Sequence, residues 1–344
     1  MPHEYQPLFR PMPDRSKNTG FPEVKPEPLE PVANYYPFSN GRYEVTPGLS
    51  RLTRSFGNSE ADSRILQIDR LYDEYRKQKL VARQDDLDKY ICKGTLTERQ
   101  ETRINEFLIN NMVTEYPSYF RLVSEPKRLA LVNHLSGDRI YLDRAYRFIA
   151  ADDNDSSLHP PYQSGMDALI CQLQEDFCVL TIEDGISRLQ FAHVCFPNNW
   201  LAREKIGQDF MALHNPVSEF EQANPRGHKI ISALLKGGPY IRFAWGLSND
   251  NHLRHLPGLN STVCFSTNGD PLYVRVERQV LQGIPDIGCV LFFIRTYYYD
   301  CLWIKRRPDL CESLQSALMD MNTGALMYKG LKESRDSIVD WLRG

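Results

Sequence analysis

From about residue 177 onward the apolar residues stop recurring at helical spacing and begin to alternate, and this change of period limits the possible folds more than any other feature. Residues 177–182 and 189–196 read as two strands joined by a turn at Glu183-Asp184-Gly185. Helical spacing returns from Trp200 to about Gly237, and three further strands follow at 240–247, 272–281 and 289–298. Two strands, several short helices and then three strands predict an α+β fold: an antiparallel five-stranded sheet with helices packed over one face.

The flanks read differently. Ten of the 22 prolines precede residue 50, and each fixes φ and removes a backbone donor, so residues 1–50 are expected as an extended arm. Within it Tyr35-Tyr36-Pro37-Phe38 is expected to dock against an apolar surface. Residues 51–160 read as a helical N-terminal extension. Ile65, Ile68, Tyr72 and Tyr75 predict a helix over 62–79. Thr97 and Gln100 form a capping-box pattern ahead of Ile104, Phe107, Leu108 and Met112, which predicts a helix over 97–112. The polar run 151–157 marks a boundary, and a helix is expected at about 164–175. Residues 161–305 form the sheet domain and 306–344 the C-terminal helices, at 309–321 and 331–343.

Several function classes fall away. A net charge of −3 offers no broad attraction for nucleic acid. No apolar run approaches the roughly 20 residues of a spanning helix, and the first residues lack the layout of a secretory signal, so a cytoplasmic protein is expected. The eight cysteines contain no C-x-x-C pair, which argues against a zinc ribbon or an iron–sulfur cluster on closely spaced thiolates. Any cofactor must be held in another way.

Two histidines stand out. The stretch Lys205-Ile206-Gly207 through Leu213-His214-Asn215-Pro216-Val217 resembles a segment common in PAS domains. In heme-binding PAS sensors a histidine opens the helix that follows and ligates iron. His228 has that register, ahead of Gly237-Gly238 and the strand at Tyr240, with His214 as the rival ligand. The competing role for either is an ordinary solvated or core histidine. His252-Leu253-Arg254-His255 suits a metal only on a helix with further ligands, and none is evident.

On the strand 272–281 one face carries Leu272, Val274, Val276, Arg278 and Val280. An unpaired guanidinium among aliphatic residues is costly, so Arg278 is expected to meet an anion. The other face, with Tyr273, Arg275, Glu277 and Gln279, reads as solvated. On the strand 240–247, Ile241, Phe243, Trp245 and Leu247 share a face on which a porphyrin can pack, with Arg242 on the other. Such a face serves any core equally well.

Taken together, nine stretches in order resemble one family. They are Gly48-Leu49, Ile68-Asp69-x-x-Tyr72, Gln174-Glu175-Asp176, Cys195-Phe196-Pro197-x-x-Trp200, Lys205-x-Gly207, Leu213-His214-x-Pro216-Val217, Arg242-x-x-Trp245, Val276-Glu277-Arg278-Gln279-x-Leu281 and Phe293-Ile294-Arg295-Thr296-Tyr297. Over roughly residues 37–300 the chain resembles the alpha subunits of heme-dependent oxidative N-demethylases. The resemblance implies a PAS-fold heme subunit that binds oxygen and a small secondary amine such as dimethylamine. It implies NADPH as electron source, through partner subunits carrying flavin mononucleotide (FMN) and a 2Fe-2S cluster, and a tetrahydrofolate-binding subunit for the one-carbon product. This chain has no Gly-x-Gly-x-x-Gly fingerprint of its own for the reductase role. On this reading Arg278 or Arg242 polarises oxygen, Glu277, Trp245, Tyr162 and Glu175 are candidates for holding the amine, and Arg242, Phe243, Trp245 and Arg278 contact heme. Ala244 stands where the family commonly has asparagine. A non-enzymatic heme sensor is the alternative function.

Overall fold

The computed structural model describes residues 31–44, 48–152, 158–209, 227–258, 262–265 and 270–344, with the backbone alone at 227–229. The N-terminal half contains β1 (Ser50–Arg51), α1 (Tyr72–Tyr90), β2 (Ile91–Lys93), α2 (Glu98–Glu115), β3 (Phe120–Ser124), β4 (Leu129–Asn133), β5 (Arg139–Leu142), β6 (Phe148–Asp152) and α3 (Gly165–Ile170). Then come β7 (Asp176–Glu183), β8 (Ile186–His193), α4 (Ala202–Lys205), α5 (Gly227–Lys236), β9 (Tyr240–Ser248), β10 (Tyr273–Ile284) and β11 (Cys289–Asp300). The chain ends with α6 (Cys301–Lys305), α7 (Pro308–Asp320), α8 (Thr323–Tyr328) and α9 (Arg335–Arg343).

The class is α+β with antiparallel sheets, but the main sheet has seven strands, not five, in the order β1-β9-β10-β11-β7-β8-β2. Two short strands from the N-terminal half extend its edges: Ser50 pairs with Ile241, and Ile91 pairs with His193. A second, four-stranded meander, β3-β4-β5-β6, lies where an all-helical extension was expected. Its strands span only four or five residues each, too few for a period of two to declare itself.

The capping box of α2 is present, with Gln100 N–H donating to Thr97 Oγ1 at 3.2 Å and Thr97 N–H to Gln100 Oε1 at 2.9 Å. The helix expected from 62 begins only at Tyr72. Before it, the backbone donors of 65–69 are taken by side chains. Ile65 and Leu66 donate to Glu115, Gln67 to Glu175, Ile68 to Tyr116 Oη and Asp69 to Gln174. The expected helix at 164–175 is shorter, ending at Ile170.

One face of the main sheet packs on the segment 64–69, α1 and α2; Tyr35 and Phe38 are wholly buried on it, together with α7–α9. The Tyr35-to-Phe38 stretch therefore does dock on an apolar surface, where Tyr35 N–H donates to Tyr299 Oη at 3.1 Å. On the other face α5 crosses β10 at Gly283. A Cβ there would fall 2.2 Å from the Leu235 carbonyl oxygen, so only glycine permits the approach. Among the described residues no helix is long and apolar enough to cross a membrane.

Candidate functional site

Successive residues of a strand point to opposite faces, and on β10 the alternation separates two environments. Val274, Val276, Arg278 and Val280 face the buried core. Arg275, Glu277, Gln279 and Leu281 line a cavity of about 860 Å³, within the size range of cofactor pockets. This corrects the expectation that Tyr273, Arg275, Glu277 and Gln279 form a solvated face. Polar alternation separates one face of a strand from the other, but it cannot separate bulk water from an interior cavity.

The register of β9 opens the space above this row. Arg242 stands opposite Gln279, Ala244 opposite Glu277 and Gly246 opposite Arg275, so the last two positions leave room over the polar side chains. Asp176, Cys178 and Leu180 of β7 and Phe292 and Ile294 of β11 extend the floor. Ile230 and Leu234 of α5 form a wall, and His255 and Trp200 lie on connecting segments. Tyr328 and Lys329, at the end of α8, close the side above β9, where a Cβ on Gly246 would meet Lys329 Cδ at 3.4 Å.

The cavity carries charge of both signs, with Lys205, Arg242, Arg275 and Lys329 lining it beside Asp176, Glu204, Asp270 and Glu277. Arg275 pairs with Glu277 and also donates to the Phe196 carbonyl at 3.2 Å and to Thr296 Oγ1 at 3.3 Å. Burial alone would raise Glu277, but the adjacent Arg275 guanidinium holds its carboxyl below the usual range. Gln279 donates to its second oxygen at 2.9 Å. Arg242 has no hydrogen bond or ion pair among the described residues; its Nε is buried without a partner, and burial lowers its pKa. Lys329 likewise has no such bond among them, and burial pushes its ammonium down to about 8. Both are half-buried and reachable from inside the cavity. Asp176 accepts from Cys195 N–H at 2.8 Å and Phe196 N–H at 2.9 Å, while burial pushes it up to about 7.

Of the residues singled out in the sequence, Arg242 and Glu277 turn their side chains to the cavity; Trp245 borders it from β9, but its position opposite Val276 turns its ring to the core face. There it packs on Phe38 and Tyr43, with ring centroids 5.6 and 5.8 Å away. Arg278 and Phe243 share that core face. Among the described residues Arg278 makes no ion pair with a carboxylate: it donates to the Ile65 and Arg64 carbonyls at 3.1 and 2.6 Å, while Glu115 and Glu175 act on it only through space. Phe243 packs against Tyr35 and Phe56, at 5.3 and 5.0 Å. Glu175 and Tyr162 are buried outside the cavity, Glu175 accepting from Gln67 N–H at 2.6 Å and Tyr162 lying 5.1 Å beneath the Arg83 guanidinium. His214 lies outside the described residues; His228 is in the first turn of α5, its side chain outside the description.

Sequence reasoning missed Lys329 and His255. Lys329 sits between two helices with no motif around it. His255 was set aside for lack of a helix, yet it reaches the cavity from a loop, and its Nε2 lies 2.7 Å from Asp250 Oδ1.

A second polar group lies away from the cavity. Asp167, Cys171 and His193 converge in the core, with ligand atoms within 4.8 Å of one another. Arg83 bonds Asp167 and lies 3.8 Å from Cys171 Sγ, so a guanidinium already supplies the positive charge a metal would bring. Burial pushes Cys171 up to about 12 and His193 down to about 4, leaving both neutral. The group is a satisfied core network and not a thiolate site.

Residues 57–339 match the family described as haem-dependent oxidative N-demethylase, alpha subunit-like. That description denotes a heme-using oxidoreductase and one subunit of a larger complex. With most of its length matched, including every strand of the main sheet except β1, this chain belongs to that family.

Proposed function

We propose that the chain is the heme-binding subunit of an oxygen-dependent oxidative N-demethylase acting on a small secondary amine of the dimethylamine class. The cavity carries this reading. Leu180, Leu281, Phe292 and Ile294 give it an apolar floor, and Arg242 and Lys329 offer positive charge without anionic partners among the described residues. A flat apolar macrocycle bearing carboxylates suits that set of side chains. The chain order of β7–β11 around α4 and α5 supports a PAS-like core, with β1 and β2 as additions at its edges.

His228 is the residue proposed to hold the heme iron, with His214 as the other sequence candidate. His255 is a third. A carboxylate on one ring nitrogen is the usual way a histidine ligand is oriented, and Asp250 occupies that place, leaving the other nitrogen for iron. When bound, heme supplies the redox centre at which dioxygen is reduced. Around it, Glu277, kept ionised by Arg275, offers the lone pairs that Arg275 and Gln279 leave free toward a secondary ammonium ion. Asp176, titrating near 7, can exchange the amine proton at neutral pH. Arg242 supplies fixed positive charge where negative charge develops.

The amine gives up two electrons and NADPH two more, so dioxygen is reduced to two waters. One water hydrolyses the resulting imine to methylamine and formaldehyde. NADPH electrons would arrive through partner subunits bearing FMN and a 2Fe-2S cluster, and a tetrahydrofolate-binding subunit would accept the formaldehyde.

The test is a spectrum followed by an assay. The purified chain is expected to show a Soret band, and the reductant-supplied protein to release formaldehyde from dimethylamine only with oxygen present. A Soret band without formaldehyde would favour the sensor alternative, and absence of the band would remove heme altogether. Comparing His228→Ala, His214→Ala and His255→Ala identifies the ligand as the variant that loses the ferric spectrum.

A further inference from the structure

We infer that Lys329 and Arg242 form a carboxylate-binding subsite for the cofactor, and that the C-terminal helices thereby complete the cavity. The inference rests on the heme reading above and adds to it which residues of this chain meet the acidic edge of the group. Arg242 is half-buried on β9, its buried Nε without a partner among the described residues, and Lys329 reaches over the same strand from the end of α8. Glu277, which acts on both cations electrostatically, has its two oxygens engaged by Arg275 and Gln279. The lysine stem passes directly over Gly246, where a Cβ would come into van der Waals contact with Lys329 Cδ at 3.4 Å.

Holding two half-buried cations with no anion hydrogen-bonded to them among the described residues is costly, and carboxylates brought in by a ligand would offset that cost through charge-assisted hydrogen bonds. The same charge repels a cationic amine until it is neutralised, so the amine is expected to bind well only after the cofactor. The ammonium of Lys329, lowered to about 8 by burial, would be strengthened by such carboxylates.

The test uses the full-length apo chain titrated with hemin and with hemin dimethyl ester, whose carboxylates are masked, read by absorbance. The wild type should prefer hemin by about tenfold or more. Lys329→Met and Arg242→Gln should each weaken hemin and leave the ester unchanged, bringing the ratio toward one. Lys329→Arg should restore it. Hemin affinity of the wild type should fall above about pH 8, where Lys329 loses its proton, and that of Lys329→Arg should not. Equal binding of hemin and ester by the wild type, or an unchanged ratio in Lys329→Met, overturns the inference and leaves the heme reading standing. Failure of the wild type to bind either compound removes both.

Discussion

Arg278 and Arg295 face each other across β10 and β11 on the side of the sheet turned from the cavity. Arg278 holds the carbonyls of residues 64 and 65; Arg295 holds Asp69 at 2.7 Å and lies 3.7 Å over the Tyr75 ring. Glu175 completes this clamp by accepting from Gln67, while its Oε2 is buried without a partner. Burial pushes its carboxyl from an ordinary 4.5 up to about 7. Between those values the folded state keeps a proton that the unfolded chain has lost. Its stabilising contribution is therefore complete below about pH 4.5 and is lost as pH rises through 7. Glu175→Gln keeps the acceptor for Gln67 and cannot ionise. The variant is expected to be as stable as wild type near pH 5 and more stable by roughly 2–3 kcal/mol at pH 8, measured by urea unfolding. His193, pushed down to about 4, adds a slope of opposite sign, which cancels when the two proteins are compared at each pH. A difference that does not grow between pH 5 and 8 would show that Glu175 is ionised throughout.

At the scale of elements, α5 has to sit close to β10 for Ile230 and Leu234 to wall the cavity, and Gly283 is what permits it. Gly283→Ala places a methyl group against two carbonyls of the last helical turn, so α5 must move outward. Overpacking of this kind costs about 1–3 kcal/mol. The expected outcome is a lower urea midpoint together with weaker hemin binding, because wall and floor separate. Lower stability with hemin affinity unchanged would mean that α5 takes no part in the pocket. The elements that could be read in advance were those with a local signature. The capping box marked α2, and the turn between β7 and β8 carries Asp184 and Gly185 at φ 52° and 79°. β1, β2 and the meander had none, since their strands are short and their partners lie far along the chain. For the site, Arg242 and Glu277 were recognised by motif, but the polar row of β10 resembled a solvent face. Arg278 drew attention by being buried and charged, and its partners were main-chain carbonyls that no side-chain pattern reveals.

Across the whole molecule, the motifs of the family fall on both faces of one sheet. Asp69, Gln174, Glu175, Arg278 and Arg295 build the clamp on one face, while Asp176, Arg242 and Glu277 line the cavity on the other. The segment 31–44 and the C-terminal helices then meet. Tyr35 and Phe38 share a hydrophobic cluster with Leu314, Leu326 and Leu342, and the same C-terminal segment puts Lys329 into the cavity. A ligand that engages Lys329 therefore couples the sheet to the last 40 or so residues, and binding to the folded state alone stabilises it by about 2.7 kcal/mol at a hundredfold excess over Kd. Part of that should appear as slower opening of the elements in contact with the ligand. Hydrogen exchange is expected to slow on hemin saturation in residues 227–236 and, together with them, in 323–331. In Lys329→Met, saturated with hemin, the first segment should stay protected and the second should return to its ligand-free rate. Protection confined to the sheet and α5 in the wild type would mean that the C-terminal helices pack on the cavity wall without taking part in what it holds.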